Sequence, residues 1–374
     1  MLLVLRKKLA IFDSYINPFN RRGALRLSRY HPNSYLLLTL LAAAGGYLFL
    51  FLFPALLVTM PAALYFSLPA AETPSQWFGV VIQLLLMLLM LLGAAGTITI
   101  TTMRFPLPSG LELDQRRFAR LFDLLKELGD IYGNPRIDRV VLRDRFDVSI
   151  VKTPRSGFSF TTSHTLVIGL PLLLTMSPMD VHALIARRVG QLAGRQNRIN
   201  SWLYYLRDIW VQYQSHCSAR RSWLARPLCS FFTWYVPRYR ALSLGAVRWS
   251  ELRADLYAIQ AINDRDAVRA ISGQAMIDDY LKRTFWPEVV EAAKSSMNPE
   301  TMPHARMAEL FQGGLAAEEI AVLLKRVAAK RSNPKSTMPS LTERLANMGH
   351  GKPLPFKPIS VSAAQFYLGN ACDQ

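Results

Sequence analysis

The chain has 374 residues, 51% of them apolar, with 44 Lys and Arg against 26 Asp and Glu, a formal charge of +18. That length suits a membrane anchor plus one domain with a sizeable core, and the charge favours anionic surfaces, either lipid headgroups or nucleic acid. The cysteines Cys217, Cys229 and Cys372 follow no CxxC spacing, which argues against a disulfide framework and fits a reducing compartment.

In chain order, residues 1–34 form a basic segment holding Arg6, Lys7, Lys8, Arg21, Arg22, Arg26 and Arg29 against one acid, Asp13. The start, Met1 to Lys8, lacks the order of a signal peptide and reads as a short amphipathic helix on a membrane. Residues 35–102 read as a transmembrane hairpin. Tyr30 to Ala71 contains no Asp, Glu, Lys or Arg, and the run Tyr35 to Val58 is long enough to cross about 30 Å of hydrocarbon. Pro54 and Pro61 are expected to kink or end that helix. A polar stretch, Glu72 to Gln76, leads to a second uncharged run from Trp77 to about Thr101. Basic residues before the first span, and none in the connecting loop, predict a cytoplasmic N-terminus and main domain.

Residues 103–348 change to a mixed α and β pattern. Leu113 to Gly129 has helical spacing, Val140 to Leu142 and Val148 to Val151 read as short strands, and Phe158 to Phe160 with Thr165 to Leu170 read as a further pair. Ser177 is a good N-cap and Pro178 suits the first helical position, which predicts a helix from Pro178 to about Asn197.

This order resembles the M48 (HtpX-like) zinc metallopeptidases: a helix, short strands, a Leu-x-x-Ser-Pro entry, then the zinc helix. Where that family reads A-x-x-A-H-E-x-G-H, this chain reads Ala183-Leu184-Ile185-Ala186-Arg187-Arg188-Val189-Gly190-Gln191. A second motif, E-x-x-A-D at the start of a later helix, stands intact as Glu251-Leu252-Arg253-Ala254-Asp255. The resemblance implies that this glutamate is the third zinc ligand and that the aspartate braces a ligand histidine. A third segment, Thr337 to Leu345, resembles T-H-P-x-x-x-E-R with Met338 at the histidine position. The implied fold is α+β and mainly helical: a two-helix transmembrane hairpin followed by a zincin-like peptidase domain with a small β-sheet.

The substitutions remove the chemistry. HExxH places two imidazoles on one helical face to grip Zn²⁺ while the glutamate activates water. Arginine stays protonated and offers no lone pair, so Arg187 and Arg188 cannot replace histidine, and Gln191 replaces the second. No catalytic residue, no metal and no cofactor is therefore expected; zinc would return only if the chain were an active peptidase with other ligands. No two of the six histidines have H-x-x-x-H spacing, and His164 is the one near the implied cleft.

Glu251 and Asp255 are four residues apart, hence on one helical face. A guanidinium from Arg187 is expected to take the place of the metal and pair with both. In the competing reading Arg187 reaches solvent and the carboxylates pair with Arg253 or Arg248. Arg188, about 100° further round the helix, is expected to face the cleft.

Residues 199–248 read as a basic, aromatic insertion that runs without an acid from Asp208 to Glu251. Arg220, Arg221, Trp223, Trp234 and Arg238 suit the headgroup layer of an anionic leaflet. Its apolar core, Leu228 to Val236, is too short to span, so a helix pair on or in the membrane surface is expected; a structural pair is the alternative, and binding of single-stranded nucleic acid the weakest. Leu315 to Lys330 reads as an amphipathic helix, Arg331 to Pro339 as a loop, and residues 349–374 as a tail. The functional expectation is a membrane-anchored, catalytically silent pseudopeptidase that binds protein partners as adaptor, scaffold or regulator. The alternatives are an active zinc endopeptidase and a purely structural membrane organiser.

Overall fold

A computed structural model describes residues 21–68, 73–101, 106–154, 162–193, 198–219, 226–295, 302–333 and 336–369. In chain order the elements are α1 (Arg21–Tyr30), α2 (Pro32–Phe66), α3 (Pro74–Thr101), β1 (Leu111–Glu112), α4 (Ala119–Tyr132), β2 (Arg139–Arg143), β3 (Val148–Pro154) and β4 (Thr162–Gly169). Then follow α5 (Leu170–Thr175), α6 (Pro178–Ala193), α7 (Arg198–Ala219), α8 (Arg226–Leu242), α9 (Leu244–Ala261) and α10 (Asp264–Tyr280). A π-helical turn, Leu281–Phe285, leads to α11 (Trp286–Ser295), α12 (Pro303–Gly313), α13 (Ala317–Ala329), α14 (Leu341–Asn347) and α15 (Ala363–Leu368). The chain is mainly helical with one small mixed sheet, and it divides into two compact units.

The first unit comprises Met1–Pro106, Pro154–Thr162 and Trp202–Ala246. Its helices α2 and α3 are long and apolar enough to cross a membrane, and only 22% and 11% of their most apolar windows are buried within the chain. A core helix of a soluble protein would be mostly buried; here Leu37, Leu48 and Leu85 are about 60% exposed. α2 continues through Pro54 and Pro61 and ends at neither. Each proline removes one backbone donor from the helix.

One stripe of α2, formed by Tyr35, Thr39, Ala43, Gly46 and Leu50, is buried. Against it lies an aromatic layer that includes Trp210, Tyr213, Phe232 and Tyr235. The Tyr35 hydroxyl donates to Leu242 O and accepts from Ala246 N–H, both at 2.8 Å. It thereby satisfies a C-terminal carbonyl of α8 and an N-terminal amide of α9. Tyr235 Oη donates to Ala42 O at 2.7 Å, and the Phe231 ring stacks on Phe49 with centroids 3.8 Å apart. α8 therefore runs antiparallel beside α2. Gln83 Nε2 reaches back from α3 to donate to Leu64 O and Ser67 Oγ, so a polar side chain in an apolar helix caps the end of α2.

The second unit comprises Leu107–Thr153, Ser163–Ser201 and Val247–Gln374. Its sheet has the order β1-β2-β4-β3, with β1 antiparallel to β2 and β2 parallel to β4 in the register Arg139↔Thr165 to Arg143↔Gly169. The apolar end of β4, Leu166 to Ile168, is buried as in a strand covered on both faces. One core joins the sheet to α4, α6 and α10.

Three boundaries differ from expectation. Leu113 to Phe118 is a turn and not the start of α4, because Asp114 O accepts from both Arg117 and Phe118 N–H. Leu170 opens α5 and does not end β4. Residues 349–369 are no tail: Phe356, Ile359, Ala364 and Leu368 belong to the core. Phe158 to Phe160 and Met1 to Lys8 lie outside the described residues.

Candidate functional site

α6 begins as its sequence dictates. Ser177 Oγ accepts from Asp180 N–H at 3.2 Å and donates to the Asp180 carboxylate at 2.6 Å, an N-cap worth about 1 kcal/mol. Further along, Gly190 lets α9 approach: a Cβ there would stand 2.4 Å from Tyr257 Cβ. This close approach brings Arg187, Arg188 and Gln191 to the face of α9 that carries Ser250, Glu251 and Asp255. α9 starts at Leu244, so the two acids lie in the middle of the helix and not at its start, where the resemblance puts them.

Arg187 bridges the two carboxylates. Its Nε donates to Asp255 Oδ1 at 2.6 Å and its Nη2 donates to Glu251 Oε2. The side chain is 2% exposed, against 5% for Glu251 and 0% for Asp255. Arg187 Nη2 also lies 3.7 Å from the sulfur of Met338, the position where the resemblance has histidine.

Arg188 does not stand apart from this group. It donates from Nη1 to Glu251 Oε1 at 3.0 Å, to Glu251 Oε2 at 3.2 Å and to Gln191 Oε1 at 3.0 Å. Its Nε donates to Val148 O at 2.9 Å, tying α6 to β3. The long side chain overcomes the 100° rotation that pointed it elsewhere. Gln191 Nε2 in turn donates to Ser250 Oγ at 2.9 Å.

Arg344 supplies a third guanidinium that sequence reasoning missed. It grips Asp255 with Nε on Oδ2 at 2.9 Å and Nη2 on Oδ1 at 2.8 Å. Its helix, α14, is fixed by a capping box between Ser340 and Glu343. The available signal was the E-R pair of the third motif.

Electrostatics follow from this geometry. Burial pushes the Glu251 carboxyl up, but the charges of Arg188 and Arg187 more than offset it and hold the group at about 2. Burial likewise opposes ionisation of Asp255, and Arg344 and Arg187 together hold its carboxyl below the usual range. Burial works against the Arg187 cation, yet Asp255 and Glu251 raise its pKa. All three groups are ionised at neutral pH.

This arrangement does not fit a zinc ion. Arg187 and Arg188 offer only donors, and both oxygens of Glu251 already accept from guanidiniums. Among the described residues no three His, Cys, Asp or Glu side chains converge as a ligand set.

The other named positions fall as follows. Arg248 pairs with Glu343 at 3.3 Å, and the Arg253 guanidinium lies 5.1 Å from the Trp249 ring centroid. His164 Nδ1 is 2.8 Å from Arg136 O, and its backbone N–H donates to Asp138. In the first unit, Arg238 stacks 4.5 Å over the Trp234 ring, and Trp234 is 55% exposed. Arg220, Arg221 and Trp223 lie outside the described residues.

No protein-family model, no curated protein and no solved structure matches this chain.

Proposed function

We propose that this chain is a membrane-anchored pseudopeptidase, related to the M48 metallopeptidases, whose metal position is held by an ionic lock. Arg187 carries the reading: a buried, permanently charged guanidinium sits between Glu251, which the resemblance makes a zinc ligand, and Asp255, which it makes the brace of a ligand histidine. Two cations cannot share that space, and arginine cannot act as the missing base. The domain then works by binding protein partners, as adaptor, scaffold or regulator, from the cytoplasmic face of an inner membrane. α2 and α3 form its anchor, and Trp234 with Arg238 suits contact with anionic headgroups. Nucleic acid is not the preferred partner.

The burial of the lock supports a second reading, a structural membrane organiser. The position that would be an open catalytic site is packed with side chains. Metal analysis and a proteolysis assay on the detergent-solubilised chain test the silent reading. Less than a tenth of an equivalent of zinc and no cleavage are expected. One equivalent of zinc, lost on Glu251→Ala together with activity, would replace it with an active peptidase. Pulldown with mass spectrometry then separates adaptor from organiser.

A further inference from the structure

The lock carries a surplus of positive charge. Arg187, Arg188 and Arg344 face two carboxylates, Glu251 and Asp255, in one hydrogen-bonded group. Three cations against two anions leave one unit uncompensated among side chains 0–15% exposed. An unbalanced charge is unfavourable in such surroundings, so the site attracts an anion.

The surplus has an address. Arg187 donates from Nε and Nη2 to Asp255 and Glu251, and Arg344 from Nε and Nη2 to Asp255; among the described residues the Nη1 of each makes no hydrogen bond, but these side chains are only 2% and 6% exposed. Arg188 uses Nε on Val148 O and Nη1 on Glu251 and Gln191. Its Nη2 has no hydrogen-bond partner among the described residues, and Arg188 is the most exposed of the three arginines, with 15% of its side chain accessible. The guanidinium lies beside β3, an end strand in the sheet order, where an extended chain can pair with the backbone.

We propose that Arg188 Nη2 is the seat of a carboxylate, supplied by an acidic side chain of an extended partner segment or by a small free carboxylate. The partner source rests on the adaptor reading above; the seat itself rests on the charge count and the uncommitted donors. A carboxylate fits better than a neutral polar group because it cancels the surplus and accepts two charge-assisted hydrogen bonds.

The test uses the full detergent-solubilised chain and a fluorescent extended peptide bearing one Glu, beside the same peptide with Gln. Binding is read by anisotropy, and thermal midpoints are taken in acetate and in chloride at equal ionic strength. Binding of the Glu peptide, at least tenfold weaker binding of the Gln peptide, and displacement by acetate establish the seat and a partner source. A rise in midpoint in acetate alone, with neither peptide bound, keeps the seat and assigns it to small carboxylates. Equal binding of the two peptides overturns the proposal, and so does no effect of peptide or acetate beyond chloride. In either case the zinc and proteolysis results still decide the silent reading separately. Arg188→Met should abolish the Glu preference; because it also removes the contacts to Val148 and Gln191, acetate competition on the unmutated chain carries the test without it.

Discussion

Arg187 and Arg344 donate to the same oxygen, Asp255 Oδ1, at 2.6 and 2.8 Å, although they lie on helices far apart in the chain. Asp255 is therefore the hinge of the charge balance. Asp255→Asn leaves three guanidiniums against one carboxylate and should cost about 3–5 kcal/mol, the range for breaking a buried ion pair. Arg187→Met removes one cation and leaves two against two, with an unbranched apolar chain filling the near part of the space. It should cost less than Asp255→Asn despite deleting more hydrogen bonds. Denaturant unfolding of the two variants ranks them, and the opposite order would show that packing, not charge, governs the site.

Acid should loosen the lock. The Glu251 carboxyl sits at about 2 in the folded chain against 4.5 when unperturbed, and Asp255 is lowered in the same sense from 3.8. Groups with depressed folded pKa values stabilise the fold fully above their unfolded values and lose that contribution as pH falls through the folded ones. The denaturant midpoint should thus decline from pH 4.5 toward about 2. Glu251→Gln, though less stable at pH 7, should show a flatter decline over that window. An equal slope in both proteins would place the acid sensitivity elsewhere.

Several of these features were legible in the residues. The uncharged runs gave α2 and α3, Ser177 with Pro178 gave the start of α6, and the four-residue spacing of Glu251 and Asp255 pointed to one shared cation. Arg188 was not legible, because helical rotation says where a Cβ points and not where a seven-atom side chain ends. Arg344 was hidden by 89 residues of separation from Asp255. The core role of residues 349–369 was hidden by their glycines and prolines, which read as an exit although Phe356 and Ile359 between them are buried.

The backbone frame of the lock should accept a metal once the side chains permit it. Positions 187 and 191 are four apart on α6, and both side chains already reach α9, at Glu251 and at the neighbouring Ser250. The triple variant Arg187→His, Arg188→Glu, Gln191→His supplies two imidazoles opposite Glu251 and turns a cationic surplus into an anionic one. It should bind one zinc per chain, seen by metal analysis after gel filtration, with affinity falling as the histidines protonate below about pH 6.5. The unmutated chain should retain none. A folded triple variant that binds no zinc would mean that α6 and α9 do not hold the spacing of a metallopeptidase.

The packing of α8 on α2 depends on a missing side chain. A Cβ at Gly46 would lie 2.6 Å from Tyr235 Oη, 2.8 Å from its Cζ and 3.1 Å from Trp210 Cζ2. The tyrosine cannot swing aside freely, because its hydroxyl donates to Ala42 O and its ring stacks on Phe231 and Tyr239. Gly46→Ala should therefore cost about 1–3 kcal/mol through overpacking, even though alanine is the better helix former by about 1 kcal/mol. Tyr235→Phe removes the oxygen that clashes most, at the loss of one hydrogen bond. The double variant should be more stable than the sum of the two single changes predicts, by about 1 kcal/mol, as measured by unfolding in micelles. Strict additivity would show that α8 does not lean on α2 at Gly46, and would remove the sheath of aromatic rings from that part of the apolar helix.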